Sequence, residues 1–159
     1  MNRQAAFLRP ATLILLAAAF AGLIWANYRF TSQHQGGNDF AIYWSSVRTV
    51  LLDNATPYGE LASSRGQSLI YGIAGSPGLP PSLLDLPFHV AGLVIPFSLI
   101  QDFPFARALW MSLLEIALVI TVFISFRIFR WAPNPVTGAM IIFFSIFSVY
   151  GLWALILGN

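Results

Sequence analysis

The chain has 159 residues, of which 57% are hydrophobic and only 9% charged, and its formal net charge is +2. Soluble domains contain about 25% charged residues, so this composition indicates a membrane protein. Cysteine is absent and the basic residues are scattered arginines, which excludes disulfides, thiolate metal sites and a cysteine nucleophile and argues against nucleic-acid binding.

The first element is an uncharged apolar run at residues 11–28, preceded by Arg3 and Arg9. It is long enough for a membrane span of about 20 residues, and Trp25 and Tyr28 at its end are typical of a membrane interface. A secretory signal peptide is the competing interpretation, because a basic segment precedes the apolar one. We favour a retained anchor, since the run is long and no clear cleavage site follows.

Residues 30–81 form the longest polar region, which we interpret as a loop between two spans. Within it, apolar side chains recur at spacings of three and four, which predicts a helix over residues 39–54. Its apolar face would carry Phe40, Tyr43, Trp44, Val47, Val50 and Leu51, opposite Ser45, Arg48, Thr49 and Asp53. Asn38 fits an N-cap, and the aromatic face suggests a helix lying in the membrane interface. Residues 61–81, rich in glycine and proline, are predicted to be irregular.

Three more apolar runs, at residues 84–101, 105–126 and 136–157, predict an all-α membrane protein with about four transmembrane helices. Pro87 and Pro96 interrupt the second run, which a membrane helix tolerates only when neighbours satisfy the freed backbone groups. Arg127, Arg130 and Trp131 follow the third run and indicate an interface.

The arginines give conflicting signals about orientation. Arg3 and Arg9 before the first span outnumber Arg29 after it, which predicts an amino terminus inside and loop 30–81 outside. Four alternating spans would nevertheless leave five arginines outside and three inside. We give the first span more weight, because long loops cross the membrane largely regardless of their charge.

Residues 36–60, GGNDFAIYWSSVRTVLLDNATPYGE, combine a pair of small residues, an Asp-Phe, a tyrosine, a Leu-Leu and a closing Pro-Tyr. These are Gly36, Gly37, Asp39, Phe40, Tyr43, Leu51, Leu52, Pro57 and Tyr58. The block resembles the opening motif of the GT-C membrane glycosyltransferases of family 87, the polyprenyl-phosphate-mannose-dependent mannosyltransferase-like group. The resemblance implies a partial GT-C fold.

A second block, LPFHVAGLVIPFSLIQDFPFARALW, resembles the family's second span, with Pro87, Pro96, Ala106 and Trp110 at matching spacing. It departs from the family pattern at Leu86, Phe88 and Phe97, and Asn159 stands where a glutamine is expected. The resemblance covers roughly residues 9–159. Family members are much longer, so the chain looks like the amino-terminal portion of one, and downstream spans would be its partners.

The resemblance implies an extracytoplasmic active site in the first loop and a polyprenyl-phosphate donor of a hexose such as mannose, or of a pentose. Because polyprenyl phosphate is a good leaving group, the reaction chiefly needs a base that takes the proton of the lipid or glycan acceptor's hydroxyl. A single displacement would invert the anomeric configuration. Asp39 is the candidate base, since the positive end of its helix would keep it ionised. Alternatively, Asp39 only caps that helix.

Other residues have a functional and a structural interpretation. Arg48 and Arg65 could bind the donor phosphate or lipid headgroups, and Tyr43 and Trp44 could stack on a sugar or anchor the helix in the interface. Glu115 inside the third run suggests a functional carboxyl, unless it reaches an interface or pairs with Arg107.

No cofactor or metal site is expected, because His34 and His89 lie far apart and no metal-ligand cluster is visible in the sequence. The composition and spans predict an integral membrane protein in contact with the lipid bilayer, and the resemblance suggests the bacterial plasma membrane. Two other functions stay open. One is a truncated or accessory membrane protein without catalysis, because four spans are few for enclosing a lipid donor and an acceptor. The other is a small transporter, a class that often has interrupted helices and intramembrane charge.

Overall fold

The computed structural model describes residues 3–34, 36–72, 84, 85, 87, 89 and 92–158, with side chains from residue 10 onward. Within these residues the secondary structure is helical and contains no strand, so the all-α prediction is confirmed. The helices are α1 (Arg3–Gln33), α2 (Asn38–Asp53), α3 (Glu60–Tyr71), a 3-10 turn (Gly92–Val94), α4 (Ile95–Ser98), α5 (Phe103–Ile128), α6 (Pro135–Phe147) and α7 (Val149–Leu157).

Helices α1 and α5 are each long and apolar enough to cross a membrane. They pack antiparallel, because residues late in α1 contact residues early in α5. The Thr31 hydroxyl donates to the carbonyl of Pro104 at 2.7 Å, and Asn27 Nδ2 donates to Ser112 Oγ at 3.0 Å. The carboxyl end of α1 therefore lies beside the amino end of α5.

Helices α6 and α7 meet at Ser148 with a bend of 53° and are together long enough for a third span. Ser148 has an extended backbone, and its hydroxyl accepts a hydrogen bond from the Gly151 amide at 2.9 Å, so it caps α7. Trp110 Nε1 on α5 donates to the carbonyl of Gly158 at 3.0 Å. The end of α7 thus returns to the amino end of α5.

The prediction of a helical membrane protein is supported, but its four spans are not confirmed: the described residues contain two candidate spans, or three if α6 and α7 count as one. The second predicted span, 84–101, is not a spanning helix where it is described: residues 92–98 form the 3-10 turn and α4. Pro96 lies at the start of α4, where proline is tolerated, whereas an unbroken helix would lose a backbone hydrogen bond there.

The short helices gather at the carboxyl end of α1 and the amino end of α5. Here α2 packs on α3, α4 and α5 around a core of Phe40, Trp44, Val47, Val94 and Ala106. The Phe40 ring stacks on Trp110 at 5.5 Å between centroids. The helix predicted at 39–54 is therefore present as α2, and Phe40 and Trp44 of its aromatic face are buried in the protein. Phe97 and Trp110, which the sequence could not place beside it, cover that face.

The prediction of an irregular chain at residues 61–81 is wrong for its first half, because Glu60–Tyr71 is the helix α3. Only one glycine, Gly66, lies inside this stretch, and the dense run of glycine and proline begins at Gly72, which ends the helix in a left-handed conformation with φ 72°. Ala62, Ser63 and Gly66 are buried, so small side chains let α3 approach α2 closely. Residues 73–81 lie outside the described part.

Candidate functional site

The turn before α2 is built by two glycines. Gly36 and Gly37 have positive φ angles of 135° and 74°, which glycine adopts without the penalty of a side chain. Gly37 is the N-cap residue of α2 and makes no side-chain cap. The prediction of Asn38 as N-cap is therefore wrong: Asn38 is the first helical residue, because the left-handed turn falls on Gly37.

Asp39 lies in the first turn of α2 and is partly exposed. Since Gly37 occupies the capping position, Asp39 is not the N-cap residue that the alternative interpretation required. The positive end of the α2 dipole favours a charged carboxylate at this position.

Tyr43 lies one turn after Asp39. Burial raises the pKa of its phenol above the usual value, and the negative charges of Asp85 and Asp39 raise this pKa further. The phenol therefore stays protonated at neutral pH and can donate a hydrogen bond. Asp85, which lies within the second predicted span, therefore belongs to the same polar region as Tyr43.

Arg107 on α5 is 2% exposed and lies against the glycine turn. Its Nη1 donates to the carbonyl of His34 at 2.9 Å and its Nη2 to the carbonyl of Ile156 at 3.1 Å, whereas its Nε has no hydrogen-bond partner. A Cβ atom added at Gly37 would lie 2.6 Å from that Nε. The glycine pair thus allows the backbone to approach a buried guanidinium.

The suggested pairing of Glu115 with Arg107 is not formed. Glu115 Oε2 instead accepts a hydrogen bond from Asn27 Nδ2 at 3.0 Å. Asn27 precedes the carboxyl end of α1 by less than two turns, so the antiparallel packing of α1 on α5 brings its amide to this level of the span. Glu115 consequently joins the two spanning helices.

A cleft of about 380 Å³ opens beside the glycine turn. Its lining includes Thr31, His34, Gly36, Ser68, Leu69 and Arg107. Asp39 is not part of this lining and follows the lining residue Gly36 by three residues along the chain. The polar ends of α1, α3 and α5 therefore meet in one concave surface next to the start of α2.

Arg48 and Trp44 are engaged in internal contacts. Arg48 Nη1 donates to the carbonyl of Ser98 at 2.7 Å, and the guanidinium lies 4.6 Å from the centre of the Trp44 ring. Trp44 is 8% exposed, and its Nε1 donates to the carbonyl of Phe97 at 3.2 Å. Both residues hold α2 against α4. Arg48 lies about 13 Å from Asp39 along the axis of α2.

Arg65 joins α3 to α2. Its guanidinium binds both carboxylate oxygens of Asp53, with Nη2 at 3.2 Å from Oδ1, and Nη1 also donates to Thr49 Oγ1 at 3.2 Å. The hydrogen bond from Arg65 lowers the pKa of Asp53, and the same bond raises the pKa of Arg65. The structure therefore brings neither Arg48 nor Arg65 to Asp39. It places Arg107 against the glycine turn that precedes α2 instead. The only sequence signal of Arg107 was a charge in an apolar run.

Among the residues that the structure describes, no group of three or more histidine, aspartate or glutamate side chains could hold a metal ion. In comparisons with known proteins, no family model matches this chain, and neither a curated protein nor a solved structure is significantly similar to it.

Proposed function

We propose that this chain is the amino-terminal part of a membrane glycosyltransferase with a partial GT-C fold, in which Asp39 is the general base. The observation that carries the proposal is the position of Asp39: it is partly exposed in the first turn of α2, two residues after a glycine turn whose Gly36 lines a polar cleft. A carboxylate in this position can approach an acceptor that enters from the polar end of the spanning helices.

The proposed reaction is a single displacement at the anomeric carbon. The acceptor oxygen forms a bond to this carbon, the bond from the carbon to the phosphate oxygen breaks, and the donor leaves as polyprenyl phosphate. The proton of the acceptor hydroxyl passes to the Asp39 carboxylate, which contributes about 10² to 10⁴ in rate when a base is well placed. The anomeric configuration inverts.

Arg107 is a better candidate than Arg48 or Arg65 for contact with the donor phosphate. It lines the cleft, and its hydrogen-bond partners in the described chain are two neutral carbonyl groups. A buried cation without a counter-charge is costly, and a phosphate at the cleft would supply one. The glycine turn would then lie between the cation and the base.

A non-catalytic accessory role is the second candidate. It is favoured by the exposure of the spanning helices, since Leu13, Leu15 and Phe123 are 55% to 70% exposed. Two or three such helices leave the cleft open on several sides. In this alternative the chain would pack on further helices that hold the complete site.

The test is transfer of labelled mannose from a polyprenyl-phosphate donor in membranes that contain the chain, with and without downstream spans supplied as a separate polypeptide. Asp39→Asn is expected to lower transfer by about 10²-fold or more. The matched control is Glu60→Gln, because Glu60 is also an exposed first-turn acid that follows a glycine N-cap, and this variant should keep wild-type transfer.

Two results would count against catalysis by Asp39. Transfer by Asp39→Asn equal to that of the wild type would reject the base, and absence of transfer in every combination of chain and downstream spans would favour the accessory role.

A further inference from the structure

A second cleft, of about 480 Å³, lies at the opposite end of α5 from the glycine turn. Its lining consists of Phe123, Phe126, Arg127, Arg130, Trp131 and Ala132. Phe123 and Phe126 belong to the last two turns of a spanning helix, and the two arginines follow them at the helix end. The cleft therefore has an apolar wall on the side of the span and a cationic mouth beyond it.

Arg130 has an unusual backbone conformation. Its φ is +51°, and the Trp131 amide donates to the carbonyl of Phe126 at 2.9 Å, so the helix ends in a Schellman turn with Arg130 at the left-handed position. Glycine is the usual residue there, and an arginine pays a steric cost that glycine avoids. Backbone strain of this kind is often associated with a functional role, so the strained position of Arg130 suggests that its guanidinium has one.

Among the described residues, neither Arg127 nor Arg130 pairs with a carboxylate. The ion pair found there joins Arg65 to Asp53. The negative end of the α5 dipole favours a cation in its last turn, which accounts for Arg127 but not for a second cation on a strained residue. The Trp131 ring contacts Phe126 edge to face at 5.4 Å and so holds the aromatic wall beside the two guanidinium groups.

We propose that this cleft binds the phosphate head group of an anionic membrane lipid, with Arg127 and Arg130 on the phosphate and the first part of an acyl chain along Phe123 and Phe126. The guanidinium group of arginine can donate two hydrogen bonds to a pair of phosphate oxygens. Basic pockets beside spanning helices are known to bind such head groups. A free phosphate would satisfy the arginines equally well, whereas the aromatic wall at the end of a span favours a lipid. This inference does not depend on glycosyl transfer.

The experiment measures lipid retention by native mass spectrometry of the full chain, purified in detergent and offered phosphatidylglycerol or phosphatidylcholine. We expect the wild type to retain phosphatidylglycerol in preference. Each arginine near a membrane surface contributes about fivefold in binding, so Arg127→Gln/Arg130→Gln should weaken retention by about 25-fold. Arg29→Gln is the control, because Arg29 is an exposed arginine at the far end of the membrane region and its loss should change nothing.

Arg130→Gly separates binding from folding. Glycine relieves the left-handed strain, so the melting temperature should stay equal or rise while phosphatidylglycerol retention falls about fivefold. Arg130→Lys should keep most of the retention. A purely structural arginine would lose stability and lipid together.

Competition with inorganic phosphate distinguishes a site for a lipid head group from a site for free phosphate. If millimolar phosphate displaces phosphatidylglycerol completely, the cleft is a site for free phosphate and the lipid assignment is wrong. Equal retention of phosphatidylglycerol by the wild type and the Arg127→Gln/Arg130→Gln variant, or equal retention of phosphatidylcholine and phosphatidylglycerol by the wild type, would overturn the proposal.

Discussion

Arg107 is a buried cation that two helix ends hold in place. The carbonyl of His34 follows the end of α1, and that of Ile156 lies in the last turn of α7. Both helix dipoles point their negative ends at the guanidinium, which offsets part of the cost of burying its charge. The side chain therefore cannot easily move, so the backbone that packs against it must lack a side chain at the point of contact. Gly37 meets this requirement on the side of α2.

Gly37→Ala tests this packing. The new Cβ would lie 2.6 Å from Arg107 Nε and 2.8 Å from its Cδ, on a residue whose φ of 74° is already unfavourable for alanine. We expect the free energy of unfolding to fall by at least about 1 kcal/mol, read as a lower melting temperature in detergent.

Gly22→Ala is the matched control, because Gly22 lies within α1 and a Cβ there would meet nothing within 4 Å. Alanine in a helix interior is favoured over glycine by about 0.5–1 kcal/mol, so this variant should be as stable as the wild type or more stable. Equal effects of the two substitutions would contradict the close approach of Gly37 to Arg107.

The sequence indicated Asp39 but not its surroundings. A helix start after two glycines is a local signal, and the structure has it at α2. Arg48 and Arg65 were chosen as phosphate ligands by residue type and loop position alone. Their partners, Ser98 and Asp53, depend on how α2 packs against α3 and α4, which no local pattern specifies. For the same reason Arg107, 68 residues after Asp39, could not be placed beside the glycine turn.

At the scale of elements, the pair of Asp53 and Arg65 connects α2 to α3. Because the hydrogen bond from Arg65 lowers the pKa of Asp53 in the folded protein, the pair stabilises the fold fully above the pKa of an unfolded aspartate, about 3.9. This contribution is lost as the pH falls through the lower folded pKa.

Asp53→Asn should therefore lower the melting temperature at pH 7 and have progressively less effect as the pH falls below about 4. Melting curves of wild type and variant over this pH range measure the difference. A difference that stays constant with pH would show that the carboxylate charge of Asp53 contributes nothing to the attachment of α3.

Long apolar helices were predictable and short polar ones were not. The apolar runs of α1 and α5 can satisfy their backbone in a membrane only as helices. The run at 105–126 matches α5 to within two residues at each end, whereas α1 extends beyond the run at 11–28 on both sides. Helix α3 could not be predicted from an apolar stripe, because its buried side includes Ser63, Gly66 and Gln67. The run at 84–101 is apolar enough for a span, but Val94, which is 3% exposed, belongs to the core beside α2, and Phe97 and Ile100 pack against that core.

For the whole molecule, the orientation argument depends on the number of spans. With α1, α5 and the bent pair α6 and α7 as three crossings, Arg3 and Arg9 lie on the same side as Arg127 and Arg130. That side then carries four arginines close to span ends, which fits a cytoplasmic face. The whole-chain count is then even, because Arg29, Arg48, Arg65 and Arg107 lie on the other side, so it no longer opposes an amino terminus inside. We infer that the end bearing Asp39 and the glycine turn faces away from the cytoplasm.

The chain contains no cysteine, so single cysteines can be labelled without background. Ser68→Cys reports the cleft beside the glycine turn and Ala132→Cys the opposite end, and both positions are exposed. With a membrane-impermeant maleimide, we expect Ser68→Cys to react in intact cells and Ala132→Cys only after permeabilisation. The reverse pattern would place Asp39 on the cytoplasmic side and contradict an extracytoplasmic site for glycosyl transfer.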